Sequence, residues 1–226
     1  MTQPAGAPGL RPVRRRRDSR RAPRIGIFGG TFDPPHVGHL AAAEWARDQL
    51  ELDRVVFVPA GTPPHKRGRA RSTVAARLAM TRLAVRGQAA FAVSDLETRR
   101  GGPSFTIDTL RTLAAREPHA SLYLILGEDN LDEFHAWREP EAILALATLV
   151  VALRPQPATN VGGAVRRRTA SVVRGMGRRG AVVTLDNPGI DLSSSAIRAR
   201  ARGGHSIRYL VPPAVERYIC RTRLYR

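Results

Sequence analysis

The sequence predicts a single α/β domain built on a parallel β-sheet with helices on both faces. Three observations carry this reading. Short apolar runs of strand length alternate with helix-length amphipathic segments along most of the chain, the pattern of successive β–α–β units. The runs are apolar at nearly every position rather than at every second one, as strands covered on both faces require. The chain has 226 residues, 42% of them hydrophobic, which suits one domain with a sizeable core and flexible additions.

Residues 1–23 are basic and punctuated by proline, and are expected to form a disordered tail ahead of a domain over 24–226. RIGIF at 24–28 reads as a buried strand, closed by the pair Gly29–Gly30. A helix is expected from about Gly38 to Leu50, with Leu40, Ala43 and Leu50 among its apolar positions. RVVFV at 54–58 is the next strand, stopped by Pro59. The Gly/Pro/Arg stretch 61–71 predicts a mobile loop.

Residues 73–86 predict a helix with Leu78, Leu83 and Val85 inward, and FAVSD at 91–95 a third strand. Ser104 is a suitable N-cap for a helix over 104–116. SLYLIL at 121–126 is a strand ending at Gly127, and short helices are expected over 129–136 and 139–146. ATLVVAL at 147–153 is another strand. An Arg/Gly-rich insert fills 154–180, and AVVTL at 181–185 is the last strand. Helices over 193–202 and 212–222 close the chain, which contains no internal repeat. In such a sheet the ligand lies at the carboxyl ends of the strands.

The net charge is +18. Residues 1–24 hold eight Arg and one Asp, residues 154–180 hold seven Arg and no acid, and residues 61–71 add four basic side chains. These three segments account for the whole excess, so the basicity is expected in solvated tails and loops rather than on a folded face. They contain no Phe, Tyr or Trp, which argues against a specific nucleic-acid partner. The single cysteine, Cys220, excludes an intramolecular disulfide and a multi-cysteine zinc site. No apolar run reaches membrane-span length and no signal-peptide pattern follows the basic start. A cytoplasmic protein with no membrane partner is expected, and the sequence leaves a homo-oligomer open.

The chemistry concentrates in GIFGGTFDPPHVGHL at 26–40. A strand runs into glycines that let the backbone approach a ligand closely. His36 and His39 then stand three residues apart at a helix start, where free N–H groups and the macrodipole attract anions. Each imidazole can donate to a phosphate oxygen. A metal pair is the competing reading, but two histidines with no carboxylate or cysteine at ligand spacing make a poor zinc site. Surface histidines on a helix cap are another.

Further blocks follow in order: PPHK at 63–66, GGPSFTIDTL at 101–110, GEDN at 127–130 with Trp137 after it, and SSSAIR at 193–198. Together with GGTFDPPHVGHL these resemble the HxGH nucleotidyltransferase superfamily, and within it the bacterial nicotinate-nucleotide adenylyltransferases. The resemblance covers about residues 24–224 and implies a Rossmann-like, doubly wound parallel sheet. It also implies transfer of AMP from ATP to nicotinate mononucleotide, with Mg²⁺ carried in by ATP and no metal held by the chain. Phosphopantetheine adenylyltransferases are shorter and place Thr where His36 stands. A nicotinamide mononucleotide acceptor is a nearer alternative, since amide and carboxylate differ by one charge.

By resemblance, His36, His39, Lys66 and Arg198 form the catalytic set. Gly29, Gly30, Thr31, Phe32, Ser194 and Ser195 join His36, His39 and Arg198 around ATP. Thr106, Asp129, Trp137, Lys66 and His65 serve the acceptor: Trp137 stacks on the pyridine, Thr106 and nearby N–H groups bind the carboxylate, and Asp129 holds a ribose hydroxyl. Plainer readings stand beside these. Lys66, the only lysine, could be an ordinary loop cation. Trp137 could be a core aromatic, Thr106 a first-turn residue, and Asp129 a helix cap. Asp33 reads as ordering its turn rather than binding metal. Phe105 stands where the family usually has Tyr, which removes a hydroxyl there.

Overall fold

β1 (Arg24–Gly30) lies at the centre of the sheet because its side chains serve two cores: Ile25 and Ile27 enter one apolar layer, Phe28 the other. The same alternation runs through β2 (Arg54–Pro59), β4 (Ser121–Gly127) and β5 (Ala147–Ala152). Val56, Leu122, Leu124 and Leu149 face one side; Val55, Phe57, Ile125 and Val150 face the other. With the short strands β3 (Phe91–Val93) and β6 (Val182–Thr184), they form one parallel sheet in the order β3-β2-β1-β4-β5-β6. Chain direction across the sheet reverses between β1 and β4, which opens a crevice at their carboxyl ends. The computed structural model describes residues 21–62, 72–131, 133–153 and 182–226.

Helix α1 (Val37–Gln49) covers one face through Ala43 and Ala46. α4 (Thr106–Arg116) and α5 (Pro140–Leu146) cover the other through Ile107, Leu110, Ile143 and Leu144. Burying each such aliphatic side chain contributes about 1.5–3 kcal/mol. A third cluster joins α2 (Val74–Ala84), α6 (Ser194–Arg202) and α7 (Pro213–Thr222) through Met80, Ile197, Val215 and Ile219. The doubly wound, Rossmann-like architecture is therefore as expected. No helix among the described residues is long and apolar enough to cross a membrane.

Several boundaries differ from expectation for identifiable reasons. Thr73 is an N-cap, its hydroxyl accepting from the Ala76 N–H at 3.1 Å, so α2 starts one residue later. The third strand stops at Val93, and residues 96–99 turn into a short helix α3 (Leu96–Arg99) that the sequence did not signal. Ser104 does not cap α4. Phe105 holds that position, and the Ser104 hydroxyl accepts from the Gly61 and Thr62 N–H groups instead. The expected helix over 129–136 is two 3₁₀ turns, Glu128–Asn130 and Phe134–Ala136.

The tail also differs at its end. Arg21 donates to the Glu51 carbonyl at 2.9 Å, and the Pro23 carbonyl accepts from Ser121 at 2.8 Å, so residues 21–23 belong to the domain. Residues 1–20, most of the loop (63–71) and the insert (154–181) lie outside the described residues. The expectation that the basicity lies only in tails and loops needs correction. Residues 193–226 hold eight Arg and one Glu, and Arg200, Arg202, Arg208, Arg217 and Arg221 are exposed there. Acidic residues elsewhere in the domain balance them in the total, which hid the segregation. Tyr209 is exposed on the same layer, with the Arg208 guanidinium 5.2 Å from its ring centre.

Candidate active site

The loop from Thr31 to His36 links β1 to α1 at the point where the strand order reverses. His36 is the N-cap of α1. Its ring lies 3.7 Å from that of His39, centre to centre, at 32°. The His36 backbone N–H donates to His39 Nδ1 at 3.2 Å. A nitrogen that accepts carries no proton, so neutral His39 holds its proton on Nε2. Phe32 packs edge-on against the His39 ring at 5.1 Å and is itself buried against Phe28 and Phe57. Gly38 leaves room for this arrangement: a Cβ there would stand 3.1 Å from His36 Nδ1, so the ring would have to give way slightly.

The helix that follows β6 clamps the same loop. Ser193 caps α6, its hydroxyl accepting from Ala196 at 3.1 Å. Ser194 Oγ donates to the Pro34 carbonyl at 2.8 Å. Arg198 donates through Nη1 to the Asp33 carbonyl at 2.7 Å and through Nη2 to Ser195 Oγ at 3.0 Å. The Asp33 carboxylate is buried and accepts from Ser72 Oγ and from the Tyr225 hydroxyl. It orders its turn, in agreement with the reading of the sequence. Burial, then the bond to Asp33, pushes the Tyr225 phenol pKa up.

Two cavities open at this end of the sheet. The larger, about 370 Å³, is lined by His36, His39, Ser194, Ser195 and Arg198 with Gly29, Gly30, Thr31 and Phe32. The smaller, about 140 Å³, is lined by Phe105, Thr106, Trp137, Ser104, Glu97 and Arg138. Gly29, Gly30, Thr31 and Asn130 line both, so the cavities share one wall at the end of β1. A Cβ at Gly29 would meet nothing within 4 Å, whereas one at Gly30 would press on the Phe32 ring at 3.0 Å. Gly29 keeps space open and Gly30 makes room for an aromatic.

Thr106 is the first residue of α4, and the N-cap Phe105 offers no side-chain acceptor there. The helix start thus borders the smaller cavity, and the first N–H groups of a helix favour an anion. Trp137 is partly buried, lines that cavity and leans on Phe134 at 5.4 Å, so it is no deep core aromatic. The Arg138 guanidinium sits 4.8 Å over the Phe105 ring. Asp129 lines the larger cavity rather than the smaller one. His65 and Lys66 lie outside the described residues.

A cytidylyltransferase-like family model matches residues 27–200. A protein of Thermomicrobium roseum bearing the name "Probable nicotinate-nucleotide adenylyltransferase" is 45% identical over 203 residues, spanning 90% of this chain and 92% of its own length. One of Citrifermentans bemidjiense with the same name is 46% identical over 211 residues, spanning 89% and 98%. The chain belongs to the nicotinate-nucleotide adenylyltransferase family. A solved structure of the Plasmodium falciparum nicotinic acid mononucleotide adenylyltransferase, complexed with NaAD, shares the fold: its TM-score is 0.71 at 18% identity, covering 90% of this chain and 97% of that one.

As a member of this adenylyltransferase family, the chain shows site features that its motifs alone did not reveal. Trp45 and the segment 187–190 wall the larger cavity. The Asn187 side chain exchanges two hydrogen bonds with the Leu153 backbone, at 2.9 and 3.1 Å, which fixes that wall to the end of β5. The Asn-Pro-Gly run after the last strand was the available signal. Glu97 is buried beside the smaller cavity and accepts from Thr109 Oγ1 at 2.7 Å. Burial raises its pKa, while bonds from Thr109 and Ser104 and the charges of Arg100 and Arg77 act the other way. No local pattern marked Glu97, because its role depends on a helix twelve residues away. Among the described residues no group of three or more His, Cys, Asp or Glu could hold a metal ion.

Proposed function

We propose that the chain transfers the adenylyl group of ATP to nicotinate mononucleotide, forming the deamido dinucleotide and releasing pyrophosphate. The observation that carries this reading is the pair of cavities with a common glycine wall. One is lined by imidazoles and a guanidinium; the other ends in an aromatic and an open helix start. Two substrates seated there meet at Gly29–Thr31, beside His39.

The acceptor phosphate has a second pKa near about 6, so at neutral pH it is mostly a dianion and needs no protein base. One of its oxygens attacks Pα of ATP, a new P–O bond forms, and the bond to pyrophosphate breaks. The barrier is the approach of two polyanions, so the protein contributes positioning and charge neutralisation. In this reading His39 Nε2–H donates to the α-phosphoryl oxygens as charge builds there. His36 and the N–H groups at the start of α1 hold neighbouring phosphate oxygens.

Arg198 and the start of α6 take the β- and γ-phosphates. The Ser194 proton is already given to Pro34, so Ser194 acts through its backbone N–H and as a clamp. Ser195 keeps the phosphate-side role. Lys66 and His65 retain the phosphate and acceptor roles that the family resemblance implies. Mg²⁺ would arrive on the ATP phosphates and neutralise the leaving pyrophosphate.

Trp137 stacks on the pyridine ring, and the start of α4 at Thr106 receives the carboxylate. An anion gains more than a neutral amide at a helix N-terminus, which favours nicotinate over nicotinamide mononucleotide. Asp129, on the larger cavity, reaches a ribose hydroxyl from the ATP side of the common wall. This reading places the protein in the cytoplasm, where a lone free cysteine stays reduced.

The test is incubation with ATP, Mg²⁺ and either mononucleotide while pyrophosphate is measured. Nicotinate mononucleotide is expected to react with the higher kcat/KM. Clear preference for the amide would overturn the acceptor assignment, and no pyrophosphate with either would overturn the reaction.

A further inference from the structure

Arg77, in α2, is the largest fully buried side chain among the described residues, at 1% exposure. Burying an ion costs several kcal/mol unless partners compensate, and an apolar side chain of similar volume would often be as stable. The guanidinium lines neither of the two site cavities, yet both of its outer nitrogens are used. Nη1 donates to the Thr31 carbonyl at 2.9 Å, and Nη2 donates to the Gly61 carbonyl at 3.0 Å. Nε is buried with no hydrogen-bond partner. Burial lowers the Arg77 pKa, and the nearby Asp33, Tyr225 and Glu97 oppose that shift.

The two carbonyls belong to different parts of the site. Thr31 stands in the wall common to both cavities. Gly61, just beyond β2, is held on its other side by the acceptor segment: its N–H donates to Ser104 Oγ at 3.0 Å, and the Ser104 N–H donates to the Thr62 carbonyl at 2.9 Å. Glu97, buried with Ser104 beside the smaller cavity, accepts from Thr109 in α4. No side chain fits at Gly61, because a Cβ would lie 2.3 Å from the Glu97 carbonyl oxygen. One fork of donors therefore joins the loop that carries His36 to a point fixed on α4.

We propose that Arg77 is a positioning residue that ties the ATP-side loop to the acceptor-side segment and so keeps the two cavities in register. The inference rests on the adenylyl-transfer reading above. A planar guanidinium spans two carbonyls that a single ammonium cannot bridge.

The test compares the full chain with Arg77→Lys and Arg77→Ala. Pyrophosphate formation is measured with both substrates varied, thermal unfolding is followed in parallel, and amide exchange is followed at residues 31–36. Arg77→Lys, which leaves one buried carbonyl without its donor, is expected to melt somewhat below the wild type yet fold, and to lose about tenfold in kcat, with smaller changes in either KM. Its amides at 31–36 should exchange about tenfold faster. Arg77→Ala should lose more, and millimolar methylguanidinium should restore part of its kcat while leaving Arg77→Lys unchanged. Should Arg77→Ala not fold, Arg77→Lys decides alone. A kcat within about twofold of wild type in Arg77→Lys, or unchanged exchange at 31–36, overturns the inference. If the wild-type chain forms no pyrophosphate, the adenylyl-transfer reading fails, and the exchange comparison still decides whether Arg77 holds the loop.

Discussion

The Tyr225 hydroxyl donates to Asp33 Oδ1 at 2.6 Å across 192 residues of sequence. Tyr225 is buried and also touches Met80 Sδ at 3.9 Å. The chain after α7 therefore braces the turn that leads to His36, and Asp33 passes that order to Arg198 through its own carbonyl.

Tyr225→Phe keeps the ring and removes only the hydroxyl. The buried Asp33 carboxylate loses a donor, which should cost about 1–3 kcal/mol in urea unfolding. Because the same turn carries His36, kcat should fall by about threefold or more as well. Unchanged stability and kcat would mean that Ser72 alone suffices for Asp33.

His39→Ala should lower kcat by at least about a hundredfold with modest change in the KM for ATP, since a donor aimed at developing charge acts mainly in the transition state. Steady-state assays with ATP varied would check this. A kcat near wild type would remove His39 from the reaction.

Gly38→Ala tests packing rather than chemistry. The new Cβ would crowd His36 Nδ1 at 3.1 Å, so the ring must shift by a few tenths of an ångström or turn away. A tenfold loss of kcat, to order of magnitude, is expected with the melting temperature little changed, because α1 itself gains from alanine.

Glu97 offers a pH signature. Burial raises its folded pKa above the usual carboxylate range, so protonation favours the folded state. The stability contributed by that proton is complete below the unfolded pKa and is lost as pH rises through the folded one. Glu97→Gln cannot ionise. Its melting temperature relative to wild type should therefore climb as pH is raised from about 4 to about 8. A constant difference across that range would show that Glu97 titrates normally.

Much of this architecture was legible in the residues. The double-sided apolar runs at 24–28, 54–58 and 121–126 marked a covered parallel sheet, because a strand with two buried faces has no position left for a polar side chain. The HVGH turn at 36–39 raised the expectation of an anion site, because helix starts and imidazoles carry their chemistry locally. Element ends were less legible. Ser104 looked like a cap by residue type, but its hydroxyl is taken by Gly61 and Thr62, distant in sequence.

By itself the sequence determined the fold class and the order of the motifs, and it singled out His36, His39 and Arg198, which line the larger cavity, since these follow from local periodicity and from side-chain chemistry. Only the tertiary structure decided how those parts are held. The Tyr225–Asp33 brace and the Arg77 fork each join residues from separate segments. Such contacts have no period and no spacing along the chain, because they exist only once the sheet has brought its loops to one edge.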